Sequence, residues 1–219
     1  MPVVTFPYGK GNIEYDFPKE RFLGELVSHM HHYKPAASQE ELVRQALENP
    51  VGTPKLSVMA EGKDKVVIIA SDHTRPVPSK VIMPQMLAEI RKGNPKADIT
   101  ILISTGCHRD TTVDELWDKF GPEILEREKI AVHNCDTSEL VYCGKLPSGG
   151  DLILNKMALD ADLLVAEGFI EPHFFAGFSG GRKSVLPGVA SRKTVIYNHN
   201  AEFIAHPKSR TGIVEGNPI

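Results

Sequence analysis

The residues best suited to chemistry lie in a glycine-rich segment near the end of the chain, residues 173–183 (HFFAGFSGGRK). The segment begins at His173, contains three glycines and ends at Lys183. Glycine adopts backbone angles that other residues avoid, so a ligand can lie flat against the exposed N–H groups of such a turn. Because the segment is poorly suited to packing, we expect it to bind a ligand and to present Lys183 beside it.

The same segment differs from the phosphate loop of nucleotide triphosphatases. Residues 177–184 (GFSGGRKS) place Arg182 where the G-x-x-x-x-G-K-[ST] pattern requires its second glycine. This mismatch disfavours a nucleotide triphosphatase, although a turn that binds an anion through backbone N–H groups stays open.

A second polar segment, residues 71–76 (SDHTRP), follows a run of apolar residues. Asp72 and Thr74 can bind ribose hydroxyls, and the guanidinium of Arg75 suits a carboxylate or phosphate because it donates as a bidentate fork. The alternative is a turn that caps the following helix, with Asp72 and Arg75 paired to each other.

Two histidines are candidates for proton transfer. His108 follows the turn of residues 105–107 (TGC), and His173 follows residues 167–172. Imidazole titrates near neutral pH, so two histidines on neighbouring strand ends can give and take a proton from opposite sides of a substrate. The alternative for His108 is a loop histidine that bonds only to the backbone.

The remaining histidines gave weaker predictions. His199 can ligate a metal, but its sequence neighbourhood offers no accompanying His, Cys or carboxylate pair. His29, His31 and His32 are closely spaced, yet they lie in a polar segment and are expected on the surface.

The elements that must position these residues follow a regular pattern. Short apolar runs, each ending in polar residues, occur at 65–70, 98–104, 129–133 and 162–166. Helical patterns occur at 38–49, 78–93 and 112–120. The first of them starts with a capping box from Ser38 to Glu41. We predict an α/β fold, with a Rossmann-like parallel sheet, flanking helices and an N-terminal β-hairpin over 3–17. Ligands bind beyond the carboxyl ends of such strands, so the polar segments should share one crevice.

Composition limits the function classes. The chain has 219 residues, 41% of them hydrophobic and 24% charged, with a net charge of −3. We expect one globular domain that binds neither nucleic acid, for which a basic patch is typical, nor a membrane. The three cysteines have no C-x-x-C spacing, and no signal peptide is evident, so we expect reduced thiols in a cytoplasmic protein.

Together these segments resemble the N-terminal domain of the nickel-dependent lactate racemase family, over nearly the whole chain. The resemblance is carried by residues 71–78 (SDHTRPVP), 105–108 (TGCH), 146–151 (LPSGGD) and 167–187, with Asn198 and His199 behind them. Several long motifs in the same order make the match highly specific.

The resemblance implies a nickel pincer nucleotide as cofactor: Ni(II)-pyridinium-3,5-bisthiocarboxylic acid mononucleotide, which holds the metal through two sulfur arms and a ring carbon. In this family Lys183 would be joined to it covalently as a thioamide, and His199 would complete the square plane of Ni(II). The resemblance also implies that Asp72, His73, Thr74 and Arg75 would hold the nucleotide and orient the substrate.

The activity implied is racemisation or epimerisation of a 2-hydroxy acid, with lactate favoured, through a 2-keto acid intermediate. His108 and His173 would be the two bases. Residues 1–219 would form the N-terminal cofactor-binding domain of a two-domain enzyme whose C-terminal domain this chain lacks, with the cofactor biosynthesis proteins as partners. The other hypotheses are a non-catalytic nucleotide-binding module and a zinc-dependent hydrolase that uses His108, His173 and His199.

Overall fold

The computed structural model describes residues 2–9 and 11–219, which divide into two compact units, Met1–Ser38 and Gln39–Ile219. The first unit contains the antiparallel hairpin of β1 (Val3–Tyr8) and β2 (Gly11–Asp16), followed by the 3₁₀ turns Lys19–Arg21 and His29–His32. This confirms the predicted hairpin, although Lys10 in its turn lies outside the described residues. His29 and His32 are exposed, as expected, and the side chain of His31 is not among those described.

The second unit is built on a four-stranded parallel sheet. Its strands are β3 (Lys65–Ser71), β4 (Asp98–Ser104), β5 (Lys129–Val132) and β8 (Leu163–Ala166), in the order β5-β4-β3-β8. All four coincide with the predicted apolar runs. These runs are nearly continuous because both faces of the sheet are covered.

The helices of this unit complete the α/β architecture. They are α1 (Gln39–Glu48), α2 (Leu56–Met59), α3 (Ser79–Gly93), α4 (Val113–Phe120), α5 (Pro122–Arg127), α6 (Lys156–Leu159), α7 (Arg192–Asn198) and α8 (Ala201–Ala205). Those predicted at 38–49, 78–93 and 112–120 are α1, α3 and α4. In the described part of the chain no helix combines the length and the apolarity needed to cross a bilayer.

Packing of α3 on the sheet forms the main core. Its buried residues Met83, Met86, Leu87 and Ile90 recur at helical spacing, so they form one face. That face belongs to the same apolar cluster as Ile68, Ile101 and Ile103 of the sheet. The opposite sheet face packs Val67, Ile69 and Leu102 against Ala158 and Val189.

Two antiparallel pairs were not predicted from the sequence. Strands β6 (Leu140–Lys145) and β7 (Asp151–Asn155) pair across a bulge at Tyr142 and Gly144. The two-residue strands β9 (Pro172–His173) and β10 (Gly177–Phe178) pair within the glycine-rich segment. This small hairpin fixes His173 opposite Gly177, and the 3₁₀ turn Gly181–Ser184, which contains Lys183, follows it.

Candidate active site

A cleft of about 380 Å³ opens beyond the carboxyl ends of β3, β4 and β8. The parallel register brings Ser71 beside Ser104, and Ile69 beside Ala166, so the segments that follow these strands start at one edge of the sheet. The predicted site residues that line the cleft are Asp72, Arg75, His108, His173, Lys183 and His199. Histidines and a lysine that are far apart in the chain therefore meet in one cavity.

Asp72 and His108 form a hydrogen-bonded pair at the ends of β3 and β4. Oδ2 of Asp72 lies 2.6 Å from Nδ1 of His108, while Oδ1 accepts from the backbone N–H and the hydroxyl of Thr74. Asp72 is buried; burial favours its neutral form, but the hydrogen bonds from Thr74 and His108 outweigh this and lower its pKa. With Asp72 ionised, Nδ1 of His108 carries the proton and Nε2 is the basic nitrogen.

His173 is held by the β9–β10 hairpin and by aromatic neighbours. Its ring stacks on Phe174 and meets Phe175 edge-on, with centroids 5.0 and 4.5 Å away. Nδ1 accepts from the backbone N–H of Ala176 at 3.3 Å, which places the proton of the neutral ring on Nε2. Burial lowers the pKa of His173, and the charges of Lys183 and Arg75 lower it further, so the ring is neutral at pH 7.

The glycine-rich turn positions Lys183 as an amine with an unusually low pKa. Gly180 has a φ of 78°, and a Cβ there would lie 2.8 Å from the carbonyl oxygen of Phe169, so this position requires glycine. Burial, together with the nearby charge of Arg75, lowers the pKa of Lys183 to about 8. A measurable fraction of the side chain is therefore the neutral, nucleophilic amine at neutral pH.

His199 follows α7 and is oriented by that helix. Its Nδ1 lies 3.2 Å from the carbonyl oxygen of Val195, so Nδ1 carries the proton and donates it. This leaves the lone pair of Nε2 for a ligand, the arrangement in which protein histidines bind metals. Burial lowers the pKa of His199, which keeps that lone pair free of a proton at neutral pH.

In the segment after β3, Arg75 lines the cleft, while His73 and Thr74 lie outside it and contact neighbouring residues. Arg75 lines the cleft, and its Nη1 is 3.4 Å from the hydroxyl of Thr74, rather than paired with Asp72. His73 and Thr74 do not line the cleft. His73 contacts Thr111 at 3.2 Å, and Thr74 supports Asp72. Both were predicted to bind cofactor, and that remains a prediction.

Sequence reasoning did not assign a role to Glu167, the residue directly after β8. Its side chain is 0% exposed, yet Glu167 lines the cleft. Oε1 accepts from the hydroxyl of Ser79 at 2.6 Å and lies 4.0 Å from Nζ of Lys119, which itself donates to Ser71. Burial raises the pKa of Glu167 and lowers that of Lys119, against their mutual attraction. The sequence did contain one indication of a role for Glu167, because a charged residue directly follows an apolar strand there.

The side chains of the cleft limit how a metal could be held there. Among the described residues no three His, Cys, Asp or Glu side chains gather closely enough to bind a metal by themselves. His199 nevertheless presents one unprotonated nitrogen, beside an amine of low pKa at Lys183. These two residues fit a metal complex that is tethered to the lysine and needs one further ligand. In the described part of the chain, His108, His173 and His199 are not gathered closely enough to hold a zinc ion together.

A family model and two curated relatives identify the same family for this chain. The family model described as the lactate racemase N-terminal domain matches residues 8–212. A lactate racemase from Thermoanaerobacterium thermosaccharolyticum is 54% identical over 220 residues, and one from Lactiplantibacillus plantarum is 51% identical. Each match covers 100% of this chain and 52% of the relative, so the chain spans about half their length.

Solved structures agree with the sequence comparison. The lactate racemase apoprotein from T. thermosaccharolyticum matches with a TM-score of 0.88 at 54% identity, over 99% of this chain and 51% of that one. A protein from Thermotoga maritima matches with a TM-score of 0.67 at 25% identity, over 82% of this chain and 45% of that one.

Proposed function

The chain belongs to the lactate racemase family, and from this premise we propose that residues 1–219 are the cofactor-binding domain of a two-domain, cytoplasmic 2-hydroxy acid racemase. Lactate is the favoured substrate because both relatives are lactate racemases. The observation that carries the proposal is the convergence of His108, His173 and Lys183 on one cleft.

The proposed cofactor is the nickel pincer nucleotide, held covalently by Lys183 and ligated by His199. The low pKa of Lys183 suits formation of a covalent bond by its amine, and the free Nε2 of His199 suits coordination. When bound, the cofactor supplies the acceptor and donor for the hydride at C2 of the substrate. The proteins that build this cofactor are the proposed partners.

His108 and His173 are the proposed acid–base pair. The two enantiomers present their hydroxyl groups on opposite sides of C2, so each direction of reaction requires a base on a different side. Nε2 of His108 is a proton acceptor backed by the carboxylate of Asp72. His173 is neutral at pH 7, and to take the second proton at Nε2 it must release the hydrogen bond from Ala176 and carry its own proton on Nδ1. Together they exchange the hydroxyl proton while the planar 2-keto acid is retained in the cleft.

Arg75 is the proposed anchor for the negative charge of the substrate or cofactor. It lines the cleft close enough to Lys183 and His173 to lower the pKa of both. A guanidinium at this position would bind a carboxylate through two parallel hydrogen bonds and fix the orientation of C2.

The direct test is single-turnover formation of 2-keto acid by the full-length protein, co-expressed with the cofactor-building enzymes. We expect His108→Ala to form keto acid from one lactate enantiomer and His173→Ala to form it from the other. His206→Ala alters an exposed histidine outside the cleft, and this control variant should form keto acid from both enantiomers. If the unaltered protein forms keto acid from neither enantiomer, the chain is a binding module and the proposal fails.

A further inference from the structure

The loop between β6 and β7, residues 146–150 (LPSGG), does not line the cleft, although it belongs to one of the segments that resemble the family. The loop is closed on itself by two backbone hydrogen bonds. The N–H of Leu146 donates to the carbonyl of Gly150, and the N–H of Gly149 donates to the carbonyl of Leu146, each at 2.8 Å. The role of this ordered loop must therefore come from the residues that it contacts outside the cleft.

The loop holds the side chain of Tyr197, in the last turn of α7. The hydroxyl of Tyr197 donates to the carbonyl of Ser148 at 2.5 Å. The aromatic ring lies against the backbone of Gly150, where a Cβ would be only 2.1 Å from Cδ1 of the ring. Glycine at position 150 is therefore required for this contact, and the loop fixes both the ring and the hydroxyl of Tyr197.

Strand β7 holds the same helix one turn earlier, through Thr194. This side chain is fully buried, and its Oγ1 donates to the carbonyl of Asp151 at 2.8 Å and accepts from the N–H of Ile153 at 3.0 Å. Thr194 and Tyr197 are three residues apart, so they lie on one face of α7. Together they fix the rotation of α7 about its own axis.

The orientation of His199 depends on the last turn of this helix. The backbone N–H of His199 donates to the carbonyl of Val195 at 2.8 Å, and Nδ1 of its ring donates to the same oxygen at 3.2 Å. Helix ends fray, and α7 has only seven residues. The direction of Nε2 therefore depends on whatever anchors this turn from outside, which is the contact of Tyr197 with the loop.

We propose that Tyr197 is a positioning residue for His199. Held by loop 146–150, it fixes the last turn of α7 and so directs Nε2 of His199 towards the metal. This inference rests on the proposed function because it takes His199 to be the nickel ligand. Groups behind a metal ligand commonly determine how tightly the metal is held, because they set the orientation of the ligand.

The first test is hydrogen exchange of the last turn of α7 in the full-length apoprotein. Tyr197→Phe removes the hydroxyl and keeps the ring, so exchange of the backbone N–H of His199 should become about threefold to tenfold faster. Gly150→Ala, which displaces the ring, should have the same effect. Tyr142→Phe alters a tyrosine of β6 that is 57% exposed, and this control should exchange at the original rate.

The second test is the rate at which a chelator extracts nickel from the full-length protein loaded with cofactor. Tyr197→Phe should release nickel about threefold to tenfold faster than the unaltered protein, with the adduct still on Lys183 by intact mass. If Tyr197 acts through His199, adding Tyr197→Phe to His199→Ala should give no further increase. A tyrosine that only stabilises the fold would speed release equally with and without His199.

The inference is overturned if Tyr197→Phe leaves both rates unchanged, or if it speeds nickel release equally in the two backgrounds. Its failure is distinguishable from failure of the proposed function. A protein that holds nickel and forms keto acid, but does not respond to Tyr197→Phe, would refute only the inference. A protein purified without nickel would refute the proposed cofactor, while exchange in the apoprotein would still decide whether Tyr197 anchors His199.

Discussion

Nδ1 of His108 lies 2.6 Å from Oδ2 of Asp72, across the ends of two adjacent parallel strands. The pair joins a buried carboxyl group to a histidine whose side chain is 49% exposed. The negative charge of Asp72 therefore lies in the protein interior, while the imidazole of His108 is accessible from the cleft. This division suits general base catalysis, because the carboxylate selects the tautomer and stabilises the imidazolium that forms.

Asp72→Asn in the full-length protein should lower kcat for lactate racemisation by about 100-fold or more, because an amide no longer enforces the Nδ1–H tautomer of His108. Asp114→Asn, at an exposed position in the first turn of α4, should leave kcat unchanged. Chiral chromatography of the product measures both. Equal rates for Asp72→Asn and the unaltered protein would show that the pair is not used in catalysis.

Arg75→Gln should raise the pKa of Lys183 above its value of about 8, because one of the two causes that lower it is removed. The measurement is the rate at which trinitrobenzenesulfonate labels Lys183 in the unliganded full-length protein, followed by peptide mass spectrometry. At pH 8 we expect labelling about twofold to fivefold slower than in the unaltered protein. Arg127→Gln, at an exposed position of α5, should label at the original rate; slowing in both variants would contradict a local effect of Arg75.

His199→Ala should lose nickel while it keeps the organic part of the cofactor on Lys183. Three of the four donors belong to the cofactor in the proposed arrangement, so removal of the fourth should make nickel about tenfold easier to extract with a chelator. Elemental analysis and intact mass report the metal and the adduct separately, and the exposed His206→Ala is the control. Full retention of nickel by His199→Ala would exclude His199 as a ligand.

His133 is expected to make stability depend on pH. It is fully buried and neutral, with Nε2 donating to the carbonyl of Ala190 and Nδ1 accepting from the amide of Asn155. Burial lowers its pKa below the usual 6.5, so on acidification the unfolded state takes up a proton before the native state does, and stability falls as the pH drops below about 6.5.

His133→Gln should remove that contribution. Between pH 7 and pH 5 the variant should lose about 1 kcal/mol less unfolding free energy than the unaltered protein. Urea titrations at the two pH values give the difference, with His206→Gln as an exposed comparison. A loss of equal size in His133→Gln would mean that other groups carry the pH dependence.

The parallel sheet could be predicted because burial on both faces leaves a clear pattern in the sequence. In β3 five consecutive residues, from Val66 to Ala70, are buried, and the sequence there is apolar without interruption. The strands β6 and β7 leave no such pattern. Four of the six residues of β6 are exposed, and a bulge at Gly144 interrupts the strand. Their pairing depends on contacts that local sequence does not encode.

The candidate site was predictable to a similar degree. Strand ends bring Asp72 and His108 together because parallel strands align their carboxyl ends, which follows from the fold class alone. Lys183 reaches the cleft through the β9–β10 hairpin and the 3₁₀ turn after it, and that hairpin was not predicted. The inward contacts of Glu167 with Ser79 and Lys119 were not predictable, since they join residues from three separate elements. The tautomers of His173 and His199 also depend on backbone atoms that only the folded chain brings into reach.

The central claim is that distant histidines surround a cofactor bonded to Lys183, and peptide mass spectrometry of the full-length protein purified with its cofactor tests it most directly. We predict added mass on the peptide that contains Lys183, and none on that peptide in Lys183→Arg. An unmodified Lys183 in a protein that racemises lactate, or an adduct on a lysine outside the cleft, would contradict this account.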